Sequence, residues 1–277
     1  MNIDQIIENA LKEDIGDGDH TSLSCIPANA KGRAKLLVKD KGILAGVSIA
    51  EKIFHKLDAE LKLTILLHDG AKIEDGDIAF FVEGSSISIL SAERLVLNFM
   101  QRMSGIATAT HELTGLIKGT NAKILDTRKT TPLLREIEKM SVKIGGGYNH
   151  RMGLYDMIMI KDNHIDFAGS IEKAITSTKD YLKRKNKNLL IEIEARNLDD
   201  VKEIMRIGGV QRIMLDNFNP DKLKEAIVLI NKQYETEASG GITKENIRAY
   251  AETGVDYISV GAITHHIKSL DMSLKAV

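Results

Sequence analysis

A single cysteine, Cys25, stands in the 277 residues, which excludes an intrachain disulfide and a zinc site built on cysteines. It suits a reducing cytoplasm, where the protein is expected to reside. No apolar run approaches the roughly 20 residues of a membrane-spanning helix. The N-terminal MNIDQIIENALKEDIG is acidic and amphipathic, without the basic start and apolar centre of a signal peptide. Neither charge is in excess: 38 Lys and Arg stand against 39 Asp and Glu, a net -1. That balance argues against a generally basic nucleic-acid binder or an acidic tail protein, so any anion site has to be a local patch. Internal repeats and low-complexity tracts are absent as well.

The composition, 43% hydrophobic and 28% charged, is that of a globular protein, and the length suits about two domains at roughly 150 residues each. Ile3, Ile6, Ile7, Ala10 and Leu11 recur at helical spacing and predict a helix over 3–13. Short apolar runs follow at 34–38, 43–47, 61–67, 78–82 and 87–90, with glycine turns between several and a helix near 48–57. This half reads as an antiparallel sheet with packed helices, an α+β domain. Ser91 reads as the N-cap of a long helix carrying Leu95, Val96, Phe99, Met100, Met103, Ile106 and Ala107 on one stripe. A kink is expected at Ser104-Gly105, and the domain boundary with it.

Beyond residue 120 the rhythm is α/β. Strands at 123–125, 157–160, 189–193, 212–215 and 257–260 alternate with helices at 132–143, 169–185, 198–207, 220–231 and 243–253. A further, unusually polar strand is expected near 234–238. This many units suggest a β/α barrel, whose active site lies at the C-terminal ends of its strands. Those ends are polar in register: Asp126 to Thr131, Lys161-Asp162-Asn163-His164, Glu192-Ile193-Glu194, Asp216-Asn217, Ser239-Gly240-Gly241 and Gly261-Ala262.

Residues 121–164 carry eight basic and five acidic side chains, net +3. Arginine suits planar carboxylates through two parallel hydrogen bonds, so the segment reads as a pocket for a multiply anionic small molecule. Each piece alone has an ordinary reading. Arg135, Lys139 and Lys143 with Glu136 and Glu138 read as a solvated helix face, Arg128 and Lys129 as loop charges, His150 as a loop histidine. The late glycine loops fit phosphate at a helix N-terminus or merely tight turns. Glu194 and Asp216 fit ribose hydroxyls, Mg²⁺ or a structural ion pair.

The ordered set resembles the quinolinate phosphoribosyltransferase family, also called carboxylating nicotinate-nucleotide pyrophosphorylases. It runs through ALKEDIGDGDHTS at 10–22, AERLVLNFMQRMSGIATAT at 92–110, ILDTRKTTPLLR at 124–135, GGGYNHRMGLYDMIMIKDNH at 145–164, IEIEA at 191–195, MLDNF at 214–218, EASGGIT at 237–243 and VDYISVGAITH at 255–265. The resemblance implies an N-terminal α/β sandwich over 1–105, an incomplete β/α barrel over 106–265, and a tail at 266–277 that rejoins the first domain. It implies condensation of quinolinate with 5-phosphoribosyl-1-pyrophosphate in the presence of Mg²⁺, giving nicotinate mononucleotide, pyrophosphate and CO₂ in NAD synthesis.

By the same resemblance quinolinate meets Thr127, Arg128, Lys129, His150, Arg151 and Lys161, with Arg94 reaching in from the partner of an obligate homodimer. The phosphoribosyl donor meets Lys129, Lys161, Glu194, Asp216, Ser239, Gly240, Gly241, Val260, Gly261 and Ala262. Lys129, Lys161, Glu194 and Asp216 are the expected catalytic residues, the last two also holding Mg²⁺ directly or through water. Glu192 and Glu194 share a strand face, so the choice between them stays open, with Glu194 preferred. One departure is Leu133, where the family often has glycine after the proline. A related phosphoribosyltransferase-like protein and a non-catalytic binding module are the competing readings.

Overall fold

The computed structural model describes residues 2–277. In chain order the elements are α1 (Ile3–Ile15), α2 (His20–Cys25), β1 (Lys31–Val38), β2 (Gly42–Ile43), α3 (Val47–Leu57), β3 (Lys62–Ile65), β4 (Lys72–Ile73), β5 (Ile78–Ser85) and α4 (Ser86–Leu116). There follow β6 (Lys123–Leu125), α5 (Arg135–Ile144), β7 (Ile158–Ile160), α6 (Asp162–Ala168), α7 (Ile171–Lys185), β8 (Ile191–Ala195), α8 (Leu198–Ile207) and β9 (Arg212–Asp216). The last are α9 (Pro220–Ile230), β10 (Glu235–Ser239), α10 (Ile247–Ala251), β11 (Tyr257–Ser259), α11 (Ala262–His265) and β12 (Met272–Ala276). Two compact units emerge. The first holds the chain up to His111 with Lys129–Gly146 and Ala262–Val277, the second Glu112–Arg128 with Gly147–Gly261.

The first unit is an antiparallel four-stranded sheet, ordered β12-β1-β5-β3, with helices packed on it. Asn2 and Gln5 close α1 reciprocally, each side chain accepting the other's backbone N–H at 2.9 Å. The helix then buries Ile6, Ile7 and Leu11. Phe54 of α3 and Phe80 of β5 meet edge to face at 6.1 Å, and both are fully buried. Burial of such a side chain contributes about 1.5–3 kcal/mol. The C-terminal strand returns here, pairing Ala34 with Ala276 through Val38 with Met272.

Helix α4 corrects two expectations. It begins at Ser86, so the run 87–90 is its first turns rather than a strand, and Ser91 lies inside it. Ser91 donates instead to Asp19 Oδ2 at 3.0 Å. The helix also continues unbroken through Ser104-Gly105. Gly105 serves close approach, since a Cβ there would stand 2.4 Å from the Lys268 carbonyl oxygen.

The second unit is a parallel sheet ordered β6-β11-β10-β9-β8-β7, with β6 and β7 at its edges, so the barrel is incomplete. Tyr148 adds a parallel bridge beside Leu125. The polar strand expected near 234–238 is present as β10, and its register to β9 pairs Glu237 with Met214 and Ser239 with Asp216. Lys161 leads from β7 into α6, where His164 Nδ1 accepts the Lys161 N–H at 2.9 Å. Among the described residues no helix is long and apolar enough to cross a membrane.

Leu133 adopts φ +68° while remaining 70% exposed. A left-handed leucine costs roughly 1–2 kcal/mol, whereas glycine there loses about 0.5–1 kcal/mol through the flexibility of the unfolded chain. Leu133→Gly is therefore expected to stabilise the protein by about 0.5–1 kcal/mol in denaturant titrations. A loss of stability would show that the exposed side chain is held by something stronger than this strain.

Candidate active site

Within the second unit the polar strand ends gather at one end of the sheet, as parallel strands in register require. Lys161 directly follows β7, and its Nζ lies 2.8 Å from Oε2 of Glu194 on β8. Glu194 is 5% exposed. Asp216, the last residue of β9, stands beside it: burial and then the Glu194 charge push the Asp216 carboxyl above its usual range, with Lys161 opposing. Ser239, ending β10, hydrogen-bonds to Asp216. Asn217 Nδ2 donates to Asp216 Oδ2 at 2.6 Å. Four neighbouring strands, β7 to β10, thus bring together a lysine, two carboxylates and a serine.

Gly240 and Gly241 follow with φ +93° and +61°. A Cβ on Gly240 would stand 2.2 Å from Asn217 Oδ1, so only glycine fits beside the Asp216-Asn217 corner. Val260 donates its N–H to the Leu125 carbonyl at 3.0 Å and is buried, and Gly261 follows it. Ala262 opens the four-residue α11 and belongs to the first unit.

At the sheet's β6 edge Asp126 is fully buried and organises the next segment. Its Oδ1 accepts the His150 N–H at 2.8 Å, and its Oδ2 accepts Asn149 Nδ2 at 2.5 Å. Arg151 donates from Nη1 to the Met157 carbonyl at 3.1 Å. Burial first, then the charge of Arg128, lowers the Arg151 pKa, so the positive charge of Arg128 is felt at this corner. Thr127 is half-buried and Arg128 is exposed. Like charges that repel one another favour an anion between them.

His150 points inward. Its Nδ1 accepts the Arg151 N–H at 2.7 Å, while Nε2 is 2.9 Å from Glu192 Oε2 and 3.3 Å from Glu237 Oε2. Burial disfavours its charge, but Glu192 and Glu237 outweigh that and raise its pKa to about 9. Burial and the Glu237 charge push Glu192 up to about 7. Burial works the same way on Glu237, yet His150 and Arg212 overcome it and hold this acid low. Arg212 Nη1 donates to Glu237 Oε2 at 3.1 Å. Glu192 and Glu194 do share a face, as alternation requires, but keep different company. Glu194 pairs with Lys161, and the fully buried Glu192 faces His150.

Lys129 and Arg94 lie in the first unit. Arg94 is exposed on α4. The Lys129 carbonyl accepts Thr264 Oγ1 at 2.8 Å. Two residues on, Thr131 gives its N–H to Glu138 Oε2 at 3.2 Å and accepts Arg102 Nη2 at Oγ1 at 2.8 Å. Arg102 also grips Glu138 Oε1 through Nη2 at 2.6 Å and Nε at 2.9 Å. The solvated face expected over α5 is thus corrected: Glu138 is 0% and Lys139 1% exposed. Charge alone suggested solvent, whereas α5 carries a buried clasp for the segment after Lys129. Asp126, Glu138 and Glu237 were missed as site residues, although Asp126 and Glu237 lie inside motifs already singled out.

The chain matches two family descriptions: quinolinate phosphoribosyl transferase, C-terminal domain, over residues 106–275, and the corresponding N-terminal domain over 19–104. It is 46% identical over 286 residues to the mitochondrial quinolinate phosphoribosyltransferase (decarboxylating) 2 of Nicotiana glauca, spanning 98% of this chain and 81% of that protein. Among solved structures it is similar to NadC of Streptococcus pyogenes, at 37% identity and TM-score 0.93, covering 99% of this chain and 97% of that one. The nicotinate-nucleotide pyrophosphorylase of Francisella tularensis gives 38% identity and TM-score 0.91, covering 99% and 96%. Sequence blocks, fold and relatives agree, and the chain belongs to the quinolinate phosphoribosyl transferase family.

Proposed function

We propose that the protein transfers the phosphoribosyl group of 5-phosphoribosyl-1-pyrophosphate to quinolinate with decarboxylation, a step of NAD synthesis. The observation that carries this reading is the Arg128–Arg151 pair in the same barrel unit as the Lys161–Glu194–Asp216 group. One is suited to a dicarboxylate, the other to a sugar that becomes cationic. In the reaction the quinolinate nitrogen attacks the anomeric carbon, the new C–N bond forms, and the C–O bond to pyrophosphate breaks. Glu194 and Asp216 steady the oxocarbenium character of the ribose, and Lys129 and Lys161 offset the repulsion between the two anionic substrates. The ring nitrogen, now cationic, accepts the electron pair left when the adjacent carboxylate departs as CO₂. A proton from water then fills that carbon. Ser239, Gly240, Gly241, Val260, Gly261 and Ala262 supply hydroxyl and backbone N–H donors for the donor's phosphates.

The adjacent carboxylates of Glu194 and Asp216 are hard oxygen donors whose mutual repulsion a cation relieves, so they fit Mg²⁺, held directly or through water. When bound, the ion supplies charge neutralisation to the departing pyrophosphate. We further propose a cytoplasmic homodimer in which exposed Arg94 completes the quinolinate site of its partner.

The test is CO₂ release from carboxyl-labelled quinolinate with and without the phosphoribosyl donor. Release that requires both substrates supports the reading, and none with both present overturns it. Nicotinate lacks one carboxylate and leaves part of the Arg128–Arg151 corner unpaired. Its kcat/KM is expected to fall by about 10³-fold or more, because a site built to pair a substrate group rejects the analogue without it. Comparable turnover of the two pyridines would remove the dicarboxylate assignment.

A further inference from the structure

The two acids around His150 have no part in the reaction just described, yet burying them is costly. Glu192 and Glu237 are both 0% exposed, and both oxygens of Glu192 lack a formed hydrogen bond among the described residues. Glu192 Oε2 and Glu237 Oε2 stand 2.9 and 3.3 Å from His150 Nε2, close enough for strong electrostatic attraction. A buried carboxylate without compensation is strongly unfavourable, so this arrangement has to be held by a function or a strong counter-charge.

We propose that Glu192 and Glu237 are positioning residues for quinolinate, acting through His150 on Arg151, and that His150 turns neither ring nitrogen to the substrate. This rests on the phosphoribosyl-transfer reading above. The chain of contacts is continuous. The acids face Nε2, Nδ1 takes the Arg151 N–H, and Asp126 holds the His150 N–H and the Asn149 amide. Residues 149–151 are therefore pinned at both ends of the imidazole and along the backbone. Arg151 needs such restraint because Arg128 repels it, and the charge of Glu192 directly favours its cationic form.

The trio has the spacing of a metal site, with ligand atoms all within 4.8 Å of one another. The ring argues otherwise. Nδ1 accepts a backbone N–H, so the hydrogen of a neutral imidazole sits on Nε2, which then has no lone pair to give.

A double-mutant cycle on quinolinate affinity tests the assignment, with equilibrium binding measured by calorimetry for the wild type, Glu192→Gln, Arg151→Lys and the double variant. If Glu192 works through Arg151, Glu192→Gln weakens quinolinate binding about five- to tenfold with Arg151 intact and less than about twofold after Arg151→Lys. The KM for the phosphoribosyl donor should move less than about twofold in Glu192→Gln, which a general loss of fold would not allow. Glu237→Gln provides a second route to the same pattern if Glu192→Gln melts at assay temperature. His150→Asn, which keeps an acceptor near the Nδ1 position, should retain more affinity than His150→Leu. Independent, multiplicative effects of Glu192→Gln and Arg151→Lys, or unchanged quinolinate affinity in both acid variants, overturn the proposal while leaving the proposed reaction in place. A wild-type protein that binds no quinolinate would overturn both.

Discussion

Homodimers of Arg94→Ala and of Arg128→Ala are each expected to be nearly inactive, and a mixture of the two to regain activity once subunits exchange. Arg94 is exposed on α4 in the first unit, whereas Arg128 ends the β6 segment of the second, beside Arg151. If Arg94 serves the partner's quinolinate, a mixed dimer has one site with both arginines intact and one with neither. Random exchange makes half of the dimers mixed, so recovery should approach about a quarter of wild-type sites. Loss of a paired arginine at a desolvated anion site costs roughly 2–5 kcal/mol, which is enough to silence either homodimer. Exchange verified by differently tagged chains, with no return of activity, would show that both arginines serve one chain.

Gly240→Ala should raise the KM for the phosphoribosyl donor about tenfold or more, with a much smaller change for quinolinate. The added methyl would stand 2.2 Å from Asn217 Oδ1 and 3.0 Å from its backbone nitrogen, at φ +93°. Asn217 is itself left-handed, at φ +57°, bonded to Ser239 O at 2.8 Å and to Asp216 Oδ2 at 2.6 Å. The clash therefore displaces the corner that carries Asp216, at a cost of roughly 1–3 kcal/mol. Gly241→Ala is the internal comparison: nothing lies within 4 Å of its Cβ position, so only the strain of φ +61° applies. Steady-state kinetics of both variants should separate them. Equal effects would mean that backbone strain, not the Asn217 contact, governs the loop.

Periodicity and polar strand ends carried much of this architecture in the sequence. The opening helix, the alternation beyond residue 120 and the polar β10 could all be read there. Helix α4 was misplaced at its start because Ile87 and Ile89 alternate as a strand would, and only long-range packing decides such a short apolar run. Motif blocks singled out Lys161, Glu194 and Asp216, which the fold does bring together. Glu138 was illegible because its pattern on α5 is that of a solvated acid. Its burial follows from Arg102, thirty-odd residues away on another helix. Glu237 was hidden by a polar strand whose acid looks misplaced until His150 arrives from a distant loop.

The pairing of β12 with β1 dictates an order of events during synthesis. Ala34 leaves the ribosome long before its partner Ala276 is made. Until then the outer edge of β1 presents unpaired backbone groups, the kind of edge at which nascent chains associate wrongly. The barrel unit ends at Gly261 and waits for no later segment. The half of the protein that is translated first is thus the half whose sheet is finished last.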